Sequence, residues 1–448
     1  MPTLSADWVL LDDGFVPNAR ITHEGGHITA IGTGEATDHV EGALLPGLPN
    51  LHSHAFQRSF AGRTEYAGGG GDFWSWRDAM YAAAGAIEPD TLAPIAAYLG
   101  MHCLLGGYTS LVEFHYLQNG RDGTPYAHRP AMAEAIIEGA QQAGIGLTML
   151  FGIYQTGNFG GAPLEGGQIR FRTSPDEALA MLDQCQHQAG PDLRFGLAPH
   201  SLRAVPPESL AAAAAGLAAM DATAPIHIHA AEQRAENAAC QATLGTTPVN
   251  WLLHNAPLDP RWCLIHSTHT TEEERAGMAA RGAIAGLCPS TEGNLGDGIF
   301  GLPDFTAAGG RFGTGTDSHI CLDAFADLRL LEYSQRLRLE KRNVLAGTSG
   351  HTGRTLWQSA AAGGAQAAAR PIGAIRPGCR ADFVGIGPTP ETAHMKPDFW
   401  LDAAIFARDR APVQHVMSAG TWVVRHGHHL RQDAITAAYR RALAKMQP

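Results

Sequence analysis

Short apolar runs alternate with longer, alanine-rich amphipathic stretches through most of the chain. Each run has the length of a strand and is bounded by glycine, proline or polar residues, whereas the stretches between them are long enough for helices. The eight predicted strands are ALLPGL at 43–48, YTSLVEF at 108–114, IGLTMLFGI at 145–153, LRFGLAP at 193–199, PIHIHA at 225–230, WCLIHS at 262–267, AIAGLCP at 283–289 and RFGTGTD at 311–317. The helices predicted between them include 89–105, 128–143, 206–219 and 271–281. Strands that alternate with helices in this way predict an α/β fold, a (β/α)8 TIM-like barrel.

The two ends of the chain carry a different pattern. Short apolar runs separated by turn residues fill 7–31, and the same texture returns at 381–387 and 413–427, before a final helix. Such runs are typical of a small β meander. We therefore expect residues 1–45 and 375–448 to form one small β-sandwich domain, and residues 46–374 to form the barrel.

One segment interrupts the first βα unit. Residues 66–80 contain four consecutive glycines followed by an aromatic stretch. No Gly-Lys-Ser/Thr follows the glycines, so the segment lacks the pattern of a phosphate-binding loop. A long loop on the strand-end face of a barrel is a candidate lid.

Charge and cysteine content limit the partners and the compartment. The formal net charge of −11 argues against a nucleic-acid partner, because phosphate binding needs a basic surface. No apolar run approaches the length of a membrane span, and the N-terminus lacks a signal-peptide pattern. Seven cysteines without a C-x-x-C pair are typical of reduced thiols. We expect a cytoplasmic enzyme; the oligomeric state is left open, and a homodimer is compatible with the sequence.

Polar groups recur where the predicted strands end. Reactive side chains of such barrels lie at the carboxyl ends of the strands, so groups from separate strands meet there. The groups at these ends are His52 and His54 after strand one, His200 after strand four, His229 and Glu232 after strand five, His266 after strand six and Asp317 after strand eight. The sequence therefore predicts one polar centre at the barrel mouth.

Part of this set has the composition of a zinc site. His52 and His54 share one face of an extended segment, because side chains alternate along a strand. With His229 and Asp317 they would give three nitrogens and one oxygen, and a catalytic zinc site keeps a position for water. His227 shares the face of His229, but we expect it one layer deeper, as a packed core histidine.

Two other metal or catalytic patterns are set aside. Residues 23–27 match H-E-x-x-H, but that motif works only on a helix, and here it contains two adjacent glycines in a β meander. The P-C-x-x-C ending of cytidine deaminases is absent. Lysine occurs only at 341, 396 and 445, which excludes a lysine-derived metal bridge in the first three quarters of the chain.

Taken together, these motifs resemble the amidohydrolase superfamily. The similar segments are PGLPNLHSH, HIHAAEQ, LIHSTH, LCPSTEGNLGDG and GTDSH, and IGAIRPGCRADFVGIG resembles the return into the small β domain. Many relatives hold two metals bridged by a carboxylated lysine on strand four. That strand has no lysine here, so the resemblance implies the branch of deaminases that bind one Zn²⁺ per chain.

A narrower resemblance concerns the substrate. HAFQRSFAGR, DFWSWRDAMY and APHSLRAV look like the corresponding segments of formimidoylglutamate deiminases. This implies hydrolysis of N-formimino-L-glutamate to N-formyl-L-glutamate and ammonia in histidine degradation, and it assigns substrate contacts to five residues. They are Gln57, Arg77, Tyr116, His200 and Arg203. The two arginines suit a small dicarboxylate substrate, because a guanidinium is the best planar partner of a carboxylate.

The expected roles follow from general acid–base chemistry. Asp317 would take a proton from the attacking water, and His266 would stabilise the tetrahedral intermediate. Glu232 would relay a proton to the departing nitrogen. The sequence leaves two alternative functions open. One is deamination of a heterocyclic amine such as guanine or an adenosine derivative, and the other is a barrel without catalytic activity.

Overall fold

The computed structural model describes residues 1–65, 80–409 and 412–446, and its strands form two sheets. The strands are β1 Thr3–Leu11, β2 Gly14–Pro17, β3 Arg20–Glu24, β4 His27–Gly32, β5 Asp38–Pro46, β6 Leu48–Ser53, β7 Tyr108–His115, β8 Gly146–Ile153, β9 Leu193–Pro199, β10 Ile226–Ala230, β11 Trp262–His266, β12 Ile284–Leu287, β13 Arg311–Thr314, β14 Phe383–Ile386, β15 Val413–Ser418, β16 Thr421–Arg425 and β17 His428–His429. β6 to β13 form a parallel eight-stranded sheet in chain order. This confirms the predicted barrel.

The seam between the first and last barrel strands is closed by a few backbone contacts. An isolated parallel bridge joins Ser53 to Asp317. The Asp317 N–H donates to the His52 carbonyl at 3.0 Å, and the His54 N–H donates to the Asp317 carbonyl at 3.3 Å. The seam therefore runs through the segments that carry three of the predicted metal ligands.

The first barrel strand is not the one that the sequence predicts. The apolar run at 43–48 straddles two elements, because β5 ends at Pro46 and pairs with β14 in the other sheet. The barrel begins with β6 at Leu48. Gly47 lies between them, where a Cβ atom would overlap the side chain of Thr109. The prediction of 43–48 as a barrel strand was wrong, since both strands are buried and form one continuous apolar run.

The other sheet joins the two ends of the chain, as predicted. Its nine strands follow the order β17-β16-β15-β14-β5-β1-β3-β4, with β2 paired to β1. The H-E-x-x-H segment falls on the antiparallel pair β3 and β4 rather than on a helix. Its histidines therefore lack the helical spacing that a metalloprotease site needs.

Helices cover the outside of the barrel. Those in the described residues are α1 Pro89–Leu105, α2 Ala131–Ala143, α3 Pro175–Cys185, α4 Pro207–Met220, α5 Arg234–Leu244, α6 Pro248–Asn255, α7 Glu272–Arg281, α8 Pro289–Leu295, α9 Leu302–Ala307, α10 Ala324–Leu339, α11 Thr352–Ala367, α12 Pro397–Phe406 and α13 Gln432–Lys445. Trp357 on α11 donates its indole N–H to the Pro46 carbonyl at 3.0 Å. Across the described ranges, every helix is too short or too polar to cross a bilayer.

Candidate active site

Four side chains from the barrel strands converge at the carboxyl end of the sheet. His52 and His54 come from β6, His229 comes from β10, and Asp317 follows β13. The Nε2 atom of His229 lies 3.1 Å from that of His52 and 3.4 Å from that of His54. Asp317 Oδ1 lies 3.5 Å from His52 Nε2 and 3.4 Å from His54 Nε2. The structure thus brings together the four residues predicted as metal ligands.

Neighbouring carbonyls orient two of these imidazoles. His54 Nδ1 lies 2.8 Å from the Phe114 carbonyl, and His229 Nδ1 lies 2.9 Å from the His200 carbonyl. A neutral imidazole that donates from Nδ1 keeps a lone pair on Nε2, which is the form that binds metals. Burial lowers the pKa of His54 to about 3 and lowers the pKa of His229 well below its usual value. Both rings are therefore neutral at pH 7.

Four of the six separations among the ligand atoms suit a tetrahedral metal ion. Ligands about 2.0–2.1 Å from a zinc ion at tetrahedral angles are separated from one another by about 3.3 Å. The measured separations, 3.1 to 3.5 Å, lie around that value. His52, His54 and His229 are also within ligand distance of one another as a group.

His227 lies away from this cluster. Its ring is fully buried, and its Nε2 atom lies 2.9 Å from the Ala367 carbonyl at the end of α11. Burial lowers its pKa to about 4. The ring therefore packs as a neutral core side chain, as the sequence predicted.

Two further polar groups adjoin the ligand cluster. His266 Nε2 lies 3.6 Å from Glu232 Oε1 and 3.7 Å from Asp317 Oδ2, while its Nδ1 atom lies 3.3 Å from Glu292 Oε1. Burial alone would lower the pKa of His266, but the carboxylates of Glu232, Glu292 and Asp317 outweigh it and raise that pKa well above the usual value. Burial also raises the pKa of Glu232. The pair can therefore hold protons at neutral pH.

A cavity of about 200 Å³ opens beside these groups. Gln57, Tyr116, His200 and Arg203 all line it, together with Glu232 and His266. Gln57 Nε2 donates to the Tyr116 hydroxyl at 3.1 Å, and Arg203 Nη1 donates to the Tyr154 hydroxyl at 3.4 Å. Arg77 and the candidate lid lie outside the described residues, apart from Met80 at its end.

Several cavity and neighbouring residues were missed by the sequence reasoning. Tyr154 follows β8 directly, so strand-end position was a signal for it. Glu236 lies four residues after Glu232, within the first turn of α5. Asp297 lies in the loop after α8 and accepts a hydrogen bond from the Gln233 side chain. No sequence signal distinguishes Glu236 or Asp297 from ordinary capping and loop carboxylates.

Comparisons with known proteins show what this chain is similar to. A model described as "Amidohydrolase family" matches residues 43–423. A formimidoylglutamate deiminase from Pseudomonas aeruginosa is 43% identical to this chain, with 100% of both chains covered. The crystal structure of an amidohydrolase from Brucella melitensis superposes with a TM-score of 0.95 at 42% identity and covers 100% of both chains. A zinc-bound adenosine deaminase from Xanthomonas campestris has the same fold, with a TM-score of 0.81 at 21% identity over 99% of this chain and 98% of its own.

Proposed function

Because the chain belongs to the amidohydrolase family, we propose that it hydrolyses N-formimino-L-glutamate to N-formyl-L-glutamate and ammonia, a step of histidine degradation. The observation that carries the proposal is the 43% identity to a formimidoylglutamate deiminase over the full length of both chains. The reaction adds water across the formimino carbon and breaks its bond to the terminal nitrogen. HN=CH–NHR and H2O give O=CH–NHR and NH3, so atoms and charge balance.

The metal in this proposal is a single zinc ion per chain. His52, His54, His229 and Asp317 would hold it, since their donor set and spacing suit tetrahedral zinc. When bound, zinc supplies a hydroxide nucleophile at neutral pH by lowering the pKa of its water from 15.7 to about 7.

The protein groups around the ion would handle the protons. Asp317 Oδ2 lies 3.7 Å from His266 Nε2, and this oxygen would accept the proton of the attacking water. His266, with its raised pKa, can donate a hydrogen bond to the oxygen that develops negative charge. Glu232 would then deliver a proton to the terminal nitrogen, which leaves as ammonia.

The substrate's carboxylates would be held farther from the ion. The Arg203 guanidinium lines the cavity and is held by Tyr154, so it can pair with one carboxylate. Gln57, Tyr116 and His200 line the same cavity as the proposed ligands His54, His229 and Asp317, and they would position the chain of the substrate. Arg77 is proposed as the second carboxylate partner because its segment, DFWSWRDAMY, resembles that of the deiminases.

Product analysis would test the direction of cleavage. Purified enzyme incubated with N-formimino-L-glutamate is expected to give ammonia and N-formyl-L-glutamate in the NMR spectrum. Formamide and glutamate would overturn the proposal, because they require departure of the inner nitrogen. Turnover of guanine or an adenosine derivative with no turnover of the formimino compound would favour the heterocyclic substrate instead.

We also propose that the enzyme works in the cytoplasm. All seven cysteines are free, and all except Cys321 are buried, which is compatible with a reducing compartment. Cell fractionation followed by detection of the protein would test this.

A further inference from the structure

Three helices carry a glutamate that accepts a backbone N–H near the helix start. Glu177 on α3, Glu274 on α7 and Glu236 on α5 each occupy the third helical position. In each case Oε2 accepts a backbone N–H at or just before the helix start, from Ser174 at 2.8 Å, from Thr271 at 2.7 Å and from Glu232 at 2.9 Å. For Glu177 and Glu274 this bond belongs to a capping box with the N-cap residue, whereas Glu236 reaches the residue before the N-cap Gln233. One carboxylate oxygen of each glutamate is thus occupied by the backbone at the helix start.

Glu236 differs from Glu177 and Glu274 in the surroundings of its second carboxylate oxygen, Oε1. Glu274 Oε1 accepts from the Asn250 N–H at 3.1 Å and from the Thr247 hydroxyl, and Glu177 Oε1 lies 3.5 Å from the Arg129 guanidinium. Glu236 Oε1 is buried, and no residue in 1–65, 80–409 or 412–446 gives it a hydrogen bond. A buried acceptor without a donor is costly, so capping alone does not explain this carboxylate.

The unpartnered oxygen belongs to a residue that lines the reaction cavity. Glu236 lines it together with Glu232, to whose backbone it is tied, and with Arg203. Burial and the neighbouring charge of Glu232 raise the pKa of Glu236 to about 7, and Arg203 offsets this only in part. Gln57 Oε1 is a second acceptor on the cavity wall that has no hydrogen-bond donor among the described residues, and Gln57 is 2% exposed. The cavity therefore offers acceptors that a ligand rich in N–H donors would satisfy.

We propose that Glu236 determines specificity for a cationic amidine, by accepting the inner N–H of the substrate's amidinium group at Oε1. This inference rests on the proposed function. An amidine is a strong base and is protonated at neutral pH, and its planar cation directs N–H groups from both nitrogens to one side. With the terminal nitrogen at Glu232 and the inner nitrogen at Glu236, two carboxylates bind one cation through charge-assisted hydrogen bonds. Hydrolysis of the cation gives a neutral amide and an ammonium ion, so the attraction between opposite charges ends when the ammonium ion leaves.

The test compares a cationic with a neutral ligand of the same shape. Glu236→Gln keeps the size and the capping oxygen but removes the charge. We expect KM for N-formimino-L-glutamate to rise about tenfold or more, because a charge-assisted hydrogen bond is roughly twice as strong as a neutral one. N-formyl-L-glutamate keeps the inner N–H but lacks the positive charge, so its inhibition constant should rise by clearly less than KM does.

Glu177→Gln is the matched control, since it alters the same helix position far from the cavity and should leave both constants unchanged. If Glu236→Gln does not fold, Glu236→Asp withdraws the charge and should show the same selective loss. Equal changes in both constants, or no change in either, would overturn the inference while leaving the proposed function intact. A wild-type enzyme that does not release ammonia from N-formimino-L-glutamate would overturn both.

Discussion

At the scale of single residues, Glu232 is the group whose role depends most on a proton. Its carboxylate lies 3.6 Å from His266 and lines the cavity, but it lies outside the tetrahedral cluster. We predict that Glu232→Gln, which keeps the shape and cannot carry the proton, lowers kcat by about 10² or more. Metal content, measured by elemental analysis, should stay at the wild-type level. A near-normal kcat of the variant would show that Glu232 has a structural role and does not transfer the proton.

The two histidines of β10 give a second residue-scale prediction. His229 Nε2 faces the ligand cluster, whereas His227 Nε2 is held by the Ala367 carbonyl. His229→Ala should therefore lose the metal, and His227→Ala should retain it at a cost in stability only. Metal content of the two purified variants checks this directly. Retention of metal by His229→Ala would remove His229 from the ligand set.

The residues that could be predicted from the sequence are those whose position alone is informative. His52 and His54, His229, His266 and Asp317 lie at the carboxyl ends of four barrel strands, β6, β10, β11 and β13, and parallel strands place these ends together. Glu236 could not be predicted, because a glutamate at the third helical position is ordinary, and only the tertiary structure shows its second oxygen unsatisfied. The position of a residue at the end of a barrel strand can therefore be recognised in the sequence. Whether a buried oxygen lacks a hydrogen-bond donor cannot be recognised there.

At the scale of elements, strands and helices were predicted well and one junction was not. The predicted strands from 108 onward match β7 to β13 to within a few residues, and the helix at 89–105 matches α1. The junction at Pro46-Gly47 was not predicted because the end of β5 and all of β6 are buried on both faces, so the hydrophobic pattern does not change where one strand ends and the next begins. The sheet that a buried strand joins depends on the strands with which it pairs. The local pattern of hydrophobic residues does not identify those neighbouring strands.

The packing of α10 on the barrel makes an element-scale prediction about pH. The Tyr108 hydroxyl on β7 donates to Asp327 Oδ2 on α10 at 2.8 Å, and both side chains are fully buried. Burial raises the pKa of Asp327 to about 7. The folded protein therefore holds a proton there that the unfolded chain releases above about pH 4, so stability is lost as pH rises from about 4 to about 7.

Asp327→Asn removes this ionisation and keeps an acceptor for Tyr108. We predict that the variant gains on the order of 2–4 kcal/mol over the wild type at about pH 8, and much less at about pH 5. Urea unfolding at the two pH values measures the difference. An equal gain at both values would show that Asp327 does not titrate in this range.

At the scale of the whole molecule, the proposed metal site lies across the closure of the barrel. His52 and His54 come from the first barrel strand, and Asp317 follows the last. Between them the seam has one isolated bridge, flanked by backbone hydrogen bonds of 3.0 and 3.3 Å. An ion bound by His52, His54 and Asp317 would link the first and last barrel strands where few backbone hydrogen bonds join them. His229 would link the same ion to β10. Metal binding and closure of the barrel should therefore be coupled.

We predict that chelation lowers Tm and abolishes activity, and that one equivalent of zinc per chain restores both. A ligand present at about 100 times its Kd stabilises the state that binds it by about 2.7 kcal/mol, so the shift should follow the free zinc concentration. Hydrogen exchange should quicken first at the seam amides of His54 and Asp317, since their hydrogen bonds span it. His227→Ala should keep the zinc-dependent shift in Tm, and His229→Ala should lose it. A requirement for two equivalents of zinc per chain would contradict the single metal site. Unchanged hydrogen exchange at the seam would show that metal binding and closure of the barrel are not coupled.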